Sequence, residues 1–180
     1  MAAKNDKDII SIMAKDPEKG FRLLMARYKE TVYWHIRRLV VSHADAQDAT
    51  QETFVRIFRS FSQFKGECSL TSWVYRIATN EALRLLSCYR DGQVSLNNTN
   101  EELNKMMADD YVDYSDLETV RLQQAILTLP TKQQLAFNLR YYNELGYDEI
   151  AEITGSTPES VKSNYHIAKE KIIKYMNLNN

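Results

Sequence analysis

Cysteine, glycine and proline are all scarce in this chain of 180 residues, which has two cysteines, five glycines and three prolines. Cys68 and Cys88 are too few for a disulfide framework, and they do not have the CxxC spacing of a structural zinc site. No stretch approaches the roughly 18 consecutive apolar residues of a membrane helix, so we expect no membrane insertion. A secretory leader pattern is also missing, so we expect a cytoplasmic protein.

The side-chain sets that catalysis requires are also missing. The three histidines are scattered along the sequence, and the acidic cluster of residues 45–52 contains no histidine at helical spacing. No glycine-rich phosphate loop occurs. We therefore expect no enzymatic activity, no bound metal and no cofactor, and we interpret the acidic cluster as solvated or as a surface for a partner protein.

The charge is unevenly distributed along the chain, although the net charge is only −1. Residues 1–90 carry 15 Lys and Arg against 10 Asp and Glu, residues 91–120 carry 1 against 8, and residues 121–180 carry 7 against 6. A positive first block can face a polyanion, whereas the acidic middle block cannot lie on DNA.

Apolar residues recur at steps of three and four over most of residues 1–90, which is the spacing of amphipathic helices. Asp16 and Pro17 are a cap and a first residue for a long helix, and a shorter helix precedes it. A third helix begins at about Asp45, with inward positions Ala46, Ala49, Thr53, Phe54, Ile57, Phe58 and Phe61. With the helix that follows Gly66, these segments predict a four-helix bundle.

Residues 91–114 are polar and acidic and predict a linker. Beyond it, the pairs Ser115 with Glu118 and Thr131 with Gln134 have the spacing of capping boxes, so each pair predicts the start of a helix.

The last part of the chain has the pattern of a helix-turn-helix. The pattern predicts a two-turn helix over Tyr147–Thr154, followed by Gly155, which suits the left-handed conformation at the C′ position. Thr157 is then a cap and Pro158 a first residue for a helix that runs to about Met176. The outward residues of that helix are polar and slim, which suits the major groove; they are Ser160, Lys162, Ser163, His166, Ile167 and Lys169. An ordinary solvated helix face has the same pattern, so both interpretations stay open here.

The helix after Gly66 carries an unusual flank. Its inward positions are Leu70, Val74, Ile77, Ala78 and Leu85. Trp73, Arg76 and Asn80 are spaced i, i+3 and i+7, so they align beside that apolar stripe. A ring, a guanidinium and an amide together can stack on an unpaired base, hold a phosphate and read a base edge. The alternative is a half-buried core tryptophan with solvated neighbours.

Three stretches of the chain resemble one family, the extracytoplasmic-function (ECF) subgroup of the sigma-70 RNA polymerase sigma factors. Residues 45–54 are similar to its core-polymerase-binding helix, and residues 64–80 are similar to its loop and helix for the promoter −10 element. The segment from Leu129 through Val161–Ser163 is similar to the domain whose last helix reads the −35 element. The family often has Arg where this chain has Asn164 and Ile167.

The resemblance implies an all-α fold of two small helical domains, residues 1–90 and 115–180, joined by the acidic linker 91–114. It implies a non-enzymatic subunit whose partners are core RNA polymerase, promoter DNA (melted at −10, duplex at −35) and an anti-sigma factor. Core-polymerase-binding residues would be Asp45, Asp48, Gln51, Glu52 and Phe54. The −10 residues would be Lys65, Ser69, Trp73, Arg76 and Asn80, and the −35 residues would be Ser160, Lys162, Ser163, His166, Ile167 and Lys169.

Two other functions fit parts of the sequence. A stand-alone helix-turn-helix regulator would account for residues 147–176 and would bind duplex operator DNA without polymerase. A helical interaction protein that sequesters a partner would show no dependence on DNA in any assay.

Overall fold

A computed structural model describes residues 5–40, 42–91 and 117–178. This part of the chain contains eight α-helices and one 3₁₀ turn, and it contains no strand. The helices are α1 (Asp6–Lys15), α2 (Pro17–Leu39), α3 (His43–Ser60), α4 (Leu70–Asp91), α5 (Leu117–Leu127), α6 (Thr131–Tyr141), α7 (Tyr147–Thr154) and α8 (Pro158–Leu178), with the 3₁₀ turn at Phe61–Gln63. The all-α prediction is confirmed. The linker predicted for 91–114, apart from Asp91, and the Ser115 cap lie outside the described residues.

Side-chain caps explain where the early helices begin. The Asp16 carboxylate accepts a hydrogen bond from the Lys19 N–H at 3.1 Å, and Pro17 occupies the first turn of α2, as the sequence predicts. At α3 the Ser42 hydroxyl accepts from the Asp45 N–H at 3.4 Å. Each cap satisfies one of the four N–H groups that have no partner at the start of a helix.

The predicted capping box at Thr131 is wrong. Helix α6 begins there, but no side chain caps it. The Gln134 side chain instead donates to the carbonyls of Leu127 and Leu129, at 3.3 and 3.0 Å. Gln134 therefore provides hydrogen-bond donors for two backbone carbonyls, one at the end of α5 and one in the turn before Pro130. A buried backbone carbonyl without a partner costs free energy, so the side chain is used here and not as a cap at the start of α6.

The turn between α7 and α8 has the predicted form. Gly155 ends α7 in the left-handed region at φ 65°, which glycine adopts without steric cost. The Thr157 hydroxyl then accepts from the Ser160 N–H at 3.2 Å at the start of α8. These two local preferences fix the helix-turn-helix geometry.

Helices α1 to α4 form the N-terminal bundle around one apolar core. Its members include Ile9, Met13, Leu24, Val32, Ile36, Ala46, Ala49, Ile57, Leu70, Val74 and Ala78, all nearly or fully buried. Close packing reaches the backbone at Gly20, where an added Cβ would overlap the backbone of Met13. Phe58 was predicted to point inward and is 47% exposed, so that prediction is wrong.

The C-terminal helices contribute to two cores. A small core made by α5, α6 and α8 contains Ala125, Ile126, Leu129, Phe137, Ala168 and Ile172. Other buried residues of the same helices and of α7 belong to the core of the N-terminal bundle; they include Leu135, Leu139, Ile150, Ile153 and Val161. The C-terminal helices are therefore docked on the bundle, with α7 packed against α4.

Candidate nucleic-acid interface

Helix α4 presents the side chains that the sequence assigned to unpaired DNA. Leu70, Val74 and Ala78 are buried and fix the rotation of the helix about its axis. That rotation leaves Trp73 and Arg76 half-buried and Asn80 exposed. We call these three residues the α4 flank.

Trp73 is held in a cluster of three aromatic rings. Its ring centroid lies 5.1 Å from that of Phe64 and 6.2 Å from that of Phe61. Phe61 and Phe64 are themselves stacked, and the Phe64 N–H donates to the Phe61 carbonyl at 2.9 Å. The orientation of Trp73 therefore depends on the segment that leads into α4.

The segment between Phe64 and α4 is a short exposed loop. Lys65 is exposed, and Gly66 turns the chain with φ 72°, a value that favours glycine. At the far end, the exposed Ser69 accepts a hydrogen bond from the Ser72 N–H at 3.0 Å through its hydroxyl, which caps α4. The loop is therefore anchored at both ends.

Arg76 has a partner in the C-terminal helices. Its Nε–H donates to the backbone carbonyl of Glu152, on α7, at 3.0 Å. Nothing in the sequence pattern around Arg76 predicted this contact. It places the α4 flank beside the helix-turn-helix.

The outward face of α8 is exposed as predicted. Ser160, Lys162, Ser163, His166, Ile167 and Lys169 are all exposed, and Ile167 is 42% exposed. On the same helix Asn164 donates to the Ser160 carbonyl at 3.0 Å, so its amide is partly used within α8. The face combines two cations, three further polar groups and one apolar side chain.

Helix α3 carries the residues assigned to polymerase. Asp48 and Gln51 are exposed, Asp45 and Glu52 are half-buried, and Glu52 pairs with Arg56 at 3.4 Å. Phe54 is only 4% exposed, and its ring packs edge-on against that of Phe21. Phe54 therefore packs in the core beneath α3 and is not part of the outer surface of the helix.

Two apolar residues on the outer surface of α3 were missed by sequence reasoning. Val55 is 40% exposed and Phe58 is 47% exposed. With Asp48 and Gln51 they follow the spacing i, i+3, i+7 and i+10, so all four lie on one face. That spacing is present in the sequence. The neighbouring apolar residues of α3 obscured it, because the pattern does not show which of them are exposed. We call these four residues the outer face of α3.

Neither a metal cluster nor a membrane span is found where the structure is described. Over residues 5–40, 42–91 and 117–178, no three His, Cys, Asp or Glu side chains are grouped as a metal site would require. The helices within those ranges are too short or too polar to cross a membrane.

Comparisons with known proteins agree with both halves of this arrangement. Residues 24–90 match the family profile of sigma-70 region 2, and residues 119–172 match that of sigma-70 region 4. An ECF RNA polymerase sigma-E factor of Salmonella typhimurium LT2 is 30% identical over 176 residues, which is 93% of this chain and 92% of that protein. The RNA polymerase sigma-H factor of Pseudomonas aeruginosa is 26% identical over 97% of this chain and 95% of its own length.

Solved structures with the same fold include CnrH in complex with the cytosolic domain of CnrY. It superimposes with a TM-score of 0.75 at 19% identity, covering 97% of this chain and 99% of CnrH. The sigma factor RpoE of Bartonella quintana, in complex with the anti-sigma factor NepR, gives 0.68 at 17% identity over 90% of this chain and 99% of that one.

The two matched regions define an all-helical transcription initiation protein. The chain belongs to the ECF subgroup of the sigma-70 family of RNA polymerase sigma factors. It binds core RNA polymerase and directs initiation from promoters. A stand-alone helix-turn-helix regulator would account only for α7 and α8 and is not favoured, because the family match covers both halves.

Proposed function

We propose that the two halves of this sigma factor divide the promoter between them, with residues 1–90 and 115–180 as the two domains and 91–114 as the acidic linker. The α4 flank and the loop Lys65–Ser69 bind the melted −10 strand, and the outward face of α8 reads the −35 duplex. The observation that carries this proposal is the presence of two separate polar faces, each on a helix held by a buried apolar stripe.

At the −10 element, the proposed role is capture of an exposed base. Aromatic stacking is worth roughly 1–3 kcal/mol per base, which is similar to the cost of extruding one base from a duplex. Trp73 and the Lys65–Ser69 loop can therefore favour melting without chemistry. Arg76 supplies a cation for phosphate, and the exposed Asn80 supplies an amide for a base edge.

At the −35 element, α8 enters the major groove. Lys162 and Lys169 neutralise phosphates, Ser160, Ser163 and His166 reach polar base edges, and Ile167 contacts a thymine methyl group. Asn164 stands where the family often has Arg. Because its amide is partly used within the helix, we expect a weaker phosphate grip there.

The proposed polymerase contact is the exposed side of α3 with Asp45, Asp48, Gln51 and Glu52, and the buried Phe54 packs beneath them. We extend the predicted set by Val55 and Phe58, whose exposure supports a role in binding. Exposed apolar side chains rimmed by polar residues are typical of protein interaction sites.

Regulation and location are part of the proposal. RpoE of Bartonella quintana was solved with the anti-sigma factor NepR, and we propose that an anti-sigma factor also binds this chain. Because core RNA polymerase and promoter DNA are in the cytoplasm, we propose that the protein acts there. The protein catalyses no reaction itself, and its contribution to initiation is binding and positioning.

The decisive experiment adds the purified protein to sigma-free bacterial core polymerase on genomic DNA of its own organism and sequences the transcript 5′ ends. Discrete start sites that share upstream −10 and −35 motifs are expected. Absence of stimulation with an active core polymerase and folded protein would overturn the proposal. Tight sequence-specific binding by the free protein would support the stand-alone regulator instead.

Variants separate the two promoter sites. Trp73→Ala should keep polymerase binding but lose permanganate reactivity of −10 thymines in the open complex. The double change Lys162→Ala with His166→Ala should instead impair recognition of the −35 element. Wild-type transcription from every promoter by this double variant would exclude α8 as the reader.

A further inference from the structure

The carboxylate of Asp6, the first residue of α1, connects three helices. Arg27 on α2 donates to its Oδ1 through Nε at 2.9 Å, and the neighbouring Tyr28 hydroxyl donates to the same oxygen at 2.9 Å. The Thr71 hydroxyl on α4 donates to Oδ2 at 3.2 Å. The hydroxyl oxygens of Tyr28 and Thr71 are themselves 2.8 Å apart. We call these four residues the carboxylate network.

The geometry of the network depends on the two acceptor oxygens of Asp6. A carboxylate only accepts hydrogen bonds, and here it meets three donors, one of which is a guanidinium. Burial raises the pKa of Tyr28 to about 12, so the phenol keeps its proton and remains a donor at neutral pH. An amide in place of the carboxylate would turn one acceptor oxygen into an N–H donor. Asp6→Asn would therefore break the network with almost no change in side-chain size.

The carboxylate network reaches the part of α4 that leads into the proposed −10 site. Thr71 lies in the first turn of α4, two residues after Ser69 and two before Trp73. The Ser69 hydroxyl caps the same turn by accepting from the Ser72 N–H at 3.0 Å. Trp73 and the loop Lys65–Ser69 are therefore attached to the turn that Thr71 holds.

Apolar packing alone does not define the position of this turn. Burial of Leu70 and Val74 decides which face of α4 turns inward, but apolar attraction is non-directional. A hydrogen bond weakens steeply when its angle departs from the preferred range, so hydrogen bonds from α2 and α4 to one carboxylate restrict the turn more narrowly. A binding site needs such support, because its contact groups must be held close to the productive geometry.

We propose that Asp6 is a positioning residue for the −10 site. Its carboxylate holds Thr71, which places the first turn of α4 so that Trp73 and the loop Lys65–Ser69 are oriented for base capture before DNA binds. Helix α1 thus contributes to promoter melting, although none of its residues is assigned to DNA or polymerase. This inference rests on the proposed −10 role of Trp73 and the loop.

The test compares two pairs of full-chain variants, each with core polymerase on a promoter found by transcript mapping. Asp6→Asn breaks the network. Asp8→Asn is its matched control, because Asp8 is an exposed aspartate of the same first turn and both changes remove one negative charge from the start of α1. Thr71→Val removes a hydroxyl at nearly constant volume, and Thr71→Ser keeps the hydroxyl. Circular dichroism verifies the helix content of each variant.

We expect Asp6→Asn to reduce open-complex formation on the duplex promoter roughly tenfold, measured by permanganate reactivity of −10 thymines. Thr71→Val should reduce it about fivefold, because it removes one donor whereas Asp6→Asn disturbs all three. Asp8→Asn and Thr71→Ser should stay within about twofold of the wild type. Core polymerase affinity should be unchanged. A template already unpaired at −10 should restore both defective variants, because base capture then no longer competes with base pairing.

A double variant tests whether the two residues act together. If Asp6 acts through Thr71, adding Thr71→Val to Asp6→Asn should reduce melting by less than the product of the two single effects. Fully multiplicative effects would show that the two residues act independently and would overturn the inference. If Asp6→Asn fails to fold, the comparison of Thr71→Val with Thr71→Ser decides.

The outcomes distinguish this inference from the proposed function. Equal losses on duplex and unpaired templates, or a loss of core polymerase affinity, would show a general structural role and overturn the inference. Normal melting by Asp6→Asn and Thr71→Val, beside lost melting by Trp73→Ala, would overturn it while leaving the −10 assignment in place. Normal melting by Trp73→Ala would mean that the −10 assignment itself fails.

Discussion

At the scale of single residues, His35 is a buried histidine that is held neutral. Its Nε2 is 2.8 Å from the Thr79 hydroxyl, and its ring packs edge-on against Tyr75. Burial, together with the nearby Arg38 charge, lowers the pKa of His35 to about 3. The folded protein therefore takes up a proton at His35 far less readily than the unfolded chain does.

This depressed pKa predicts acid-sensitive stability. The unfolded His35 binds a proton as the pH falls through about 6.5, whereas the folded one does so only near 3. The contribution of His35 is thus complete above pH 6.5 and is lost as the pH falls. We expect a loss of about 2 kcal/mol at pH 5, measured by urea unfolding at pH 7.5 and 5.0.

Two variants isolate the titration. His35→Gln should lower stability at pH 7.5 but reduce its decline towards pH 5. Thr79→Val removes the same hydrogen bond but keeps the titrating ring, so it should lower stability and retain the pH dependence. An unchanged decline in His35→Gln would exclude His35 as its source.

Phe64 is a second residue with a specific consequence. Phe64 directly precedes the Lys65–Ser69 loop, and its ring centroid lies 5.1 Å from that of Trp73. This ring contact connects the start of the loop to Trp73. Aromatic pairs of this kind contribute about 0.5–1.5 kcal/mol beyond simple burial. Loss of the ring should therefore loosen the loop while leaving the buried stripe of α4 in place.

We expect Phe64→Ala to reduce open-complex formation several-fold on a promoter found by transcript mapping, with core polymerase affinity unchanged. Phe64→Tyr keeps the ring and should retain activity. A template already unpaired at −10 should restore Phe64→Ala if the loop acts during melting. Wild-type permanganate reactivity of Phe64→Ala on the duplex would contradict the positioning role.

At the scale of elements, sequence reasoning succeeded where local chemistry decides. The Asp16–Pro17 start and the Gly155 turn were predictable, because an N-cap and a left-handed glycine depend on a few adjacent residues. The capping box predicted at Gln134 was wrong, because the turn before Pro130 leaves the carbonyls of Leu127 and Leu129 within reach of the Gln134 side chain. Sequence reasoning also failed at Phe58, because an apolar run does not reveal which of its members remain uncovered.

The outer face of α3 combines exposed polar and apolar side chains. Phe58 stands at its end, with its ring edge-on to Phe21 at 5.0 Å. A large side chain supported on one side and open on the other loses little conformational entropy when a partner covers it. Such side chains are frequent among the few residues that dominate an interface.

We therefore expect Phe58→Ala to weaken core polymerase binding roughly tenfold, the effect of losing one dominant interface side chain. Ile173→Ala is the matched control, because Ile173 is 50% exposed on α8, away from α3. Competition with a labelled sigma factor measures both affinities. Equal affinities for the two variants would exclude the apolar part of the face from the contact.

At the scale of the whole molecule, the relation between the two halves was beyond sequence reasoning. The contacts of Tyr75 with Asn143 and of Arg76 with Glu152 join residues 68 and 76 positions apart. Periodicity and capping depend on neighbours within a few residues, so they predict each half but not the docking of one on the other. The candidate residues were therefore predictable one by one, whereas the hydrogen bond from Arg76 to the Glu152 carbonyl of α7 was not.

The docked arrangement gives the two halves a shared core. Leu139 and Ile150 from the C-terminal half belong to the same buried cluster as Val74 of α4. The apolar surface that the two halves bury against each other stabilises both of them, but only while they remain docked. Unfolding of one half should consequently lower the stability of the other.

Both tryptophans of the chain, Trp34 and Trp73, lie in the N-terminal bundle, so their fluorescence reports that half alone. Ile126 is fully buried in the small C-terminal core, and Ile126→Ala should destabilise that core by about 2–5 kcal/mol. Because the halves share a core, we expect the tryptophan-detected melting temperature to fall by several degrees as well. Far-UV circular dichroism, which follows the helices of both halves, should report the loss as well. A wild-type tryptophan transition in Ile126→Ala alone would mean that the two halves fold independently.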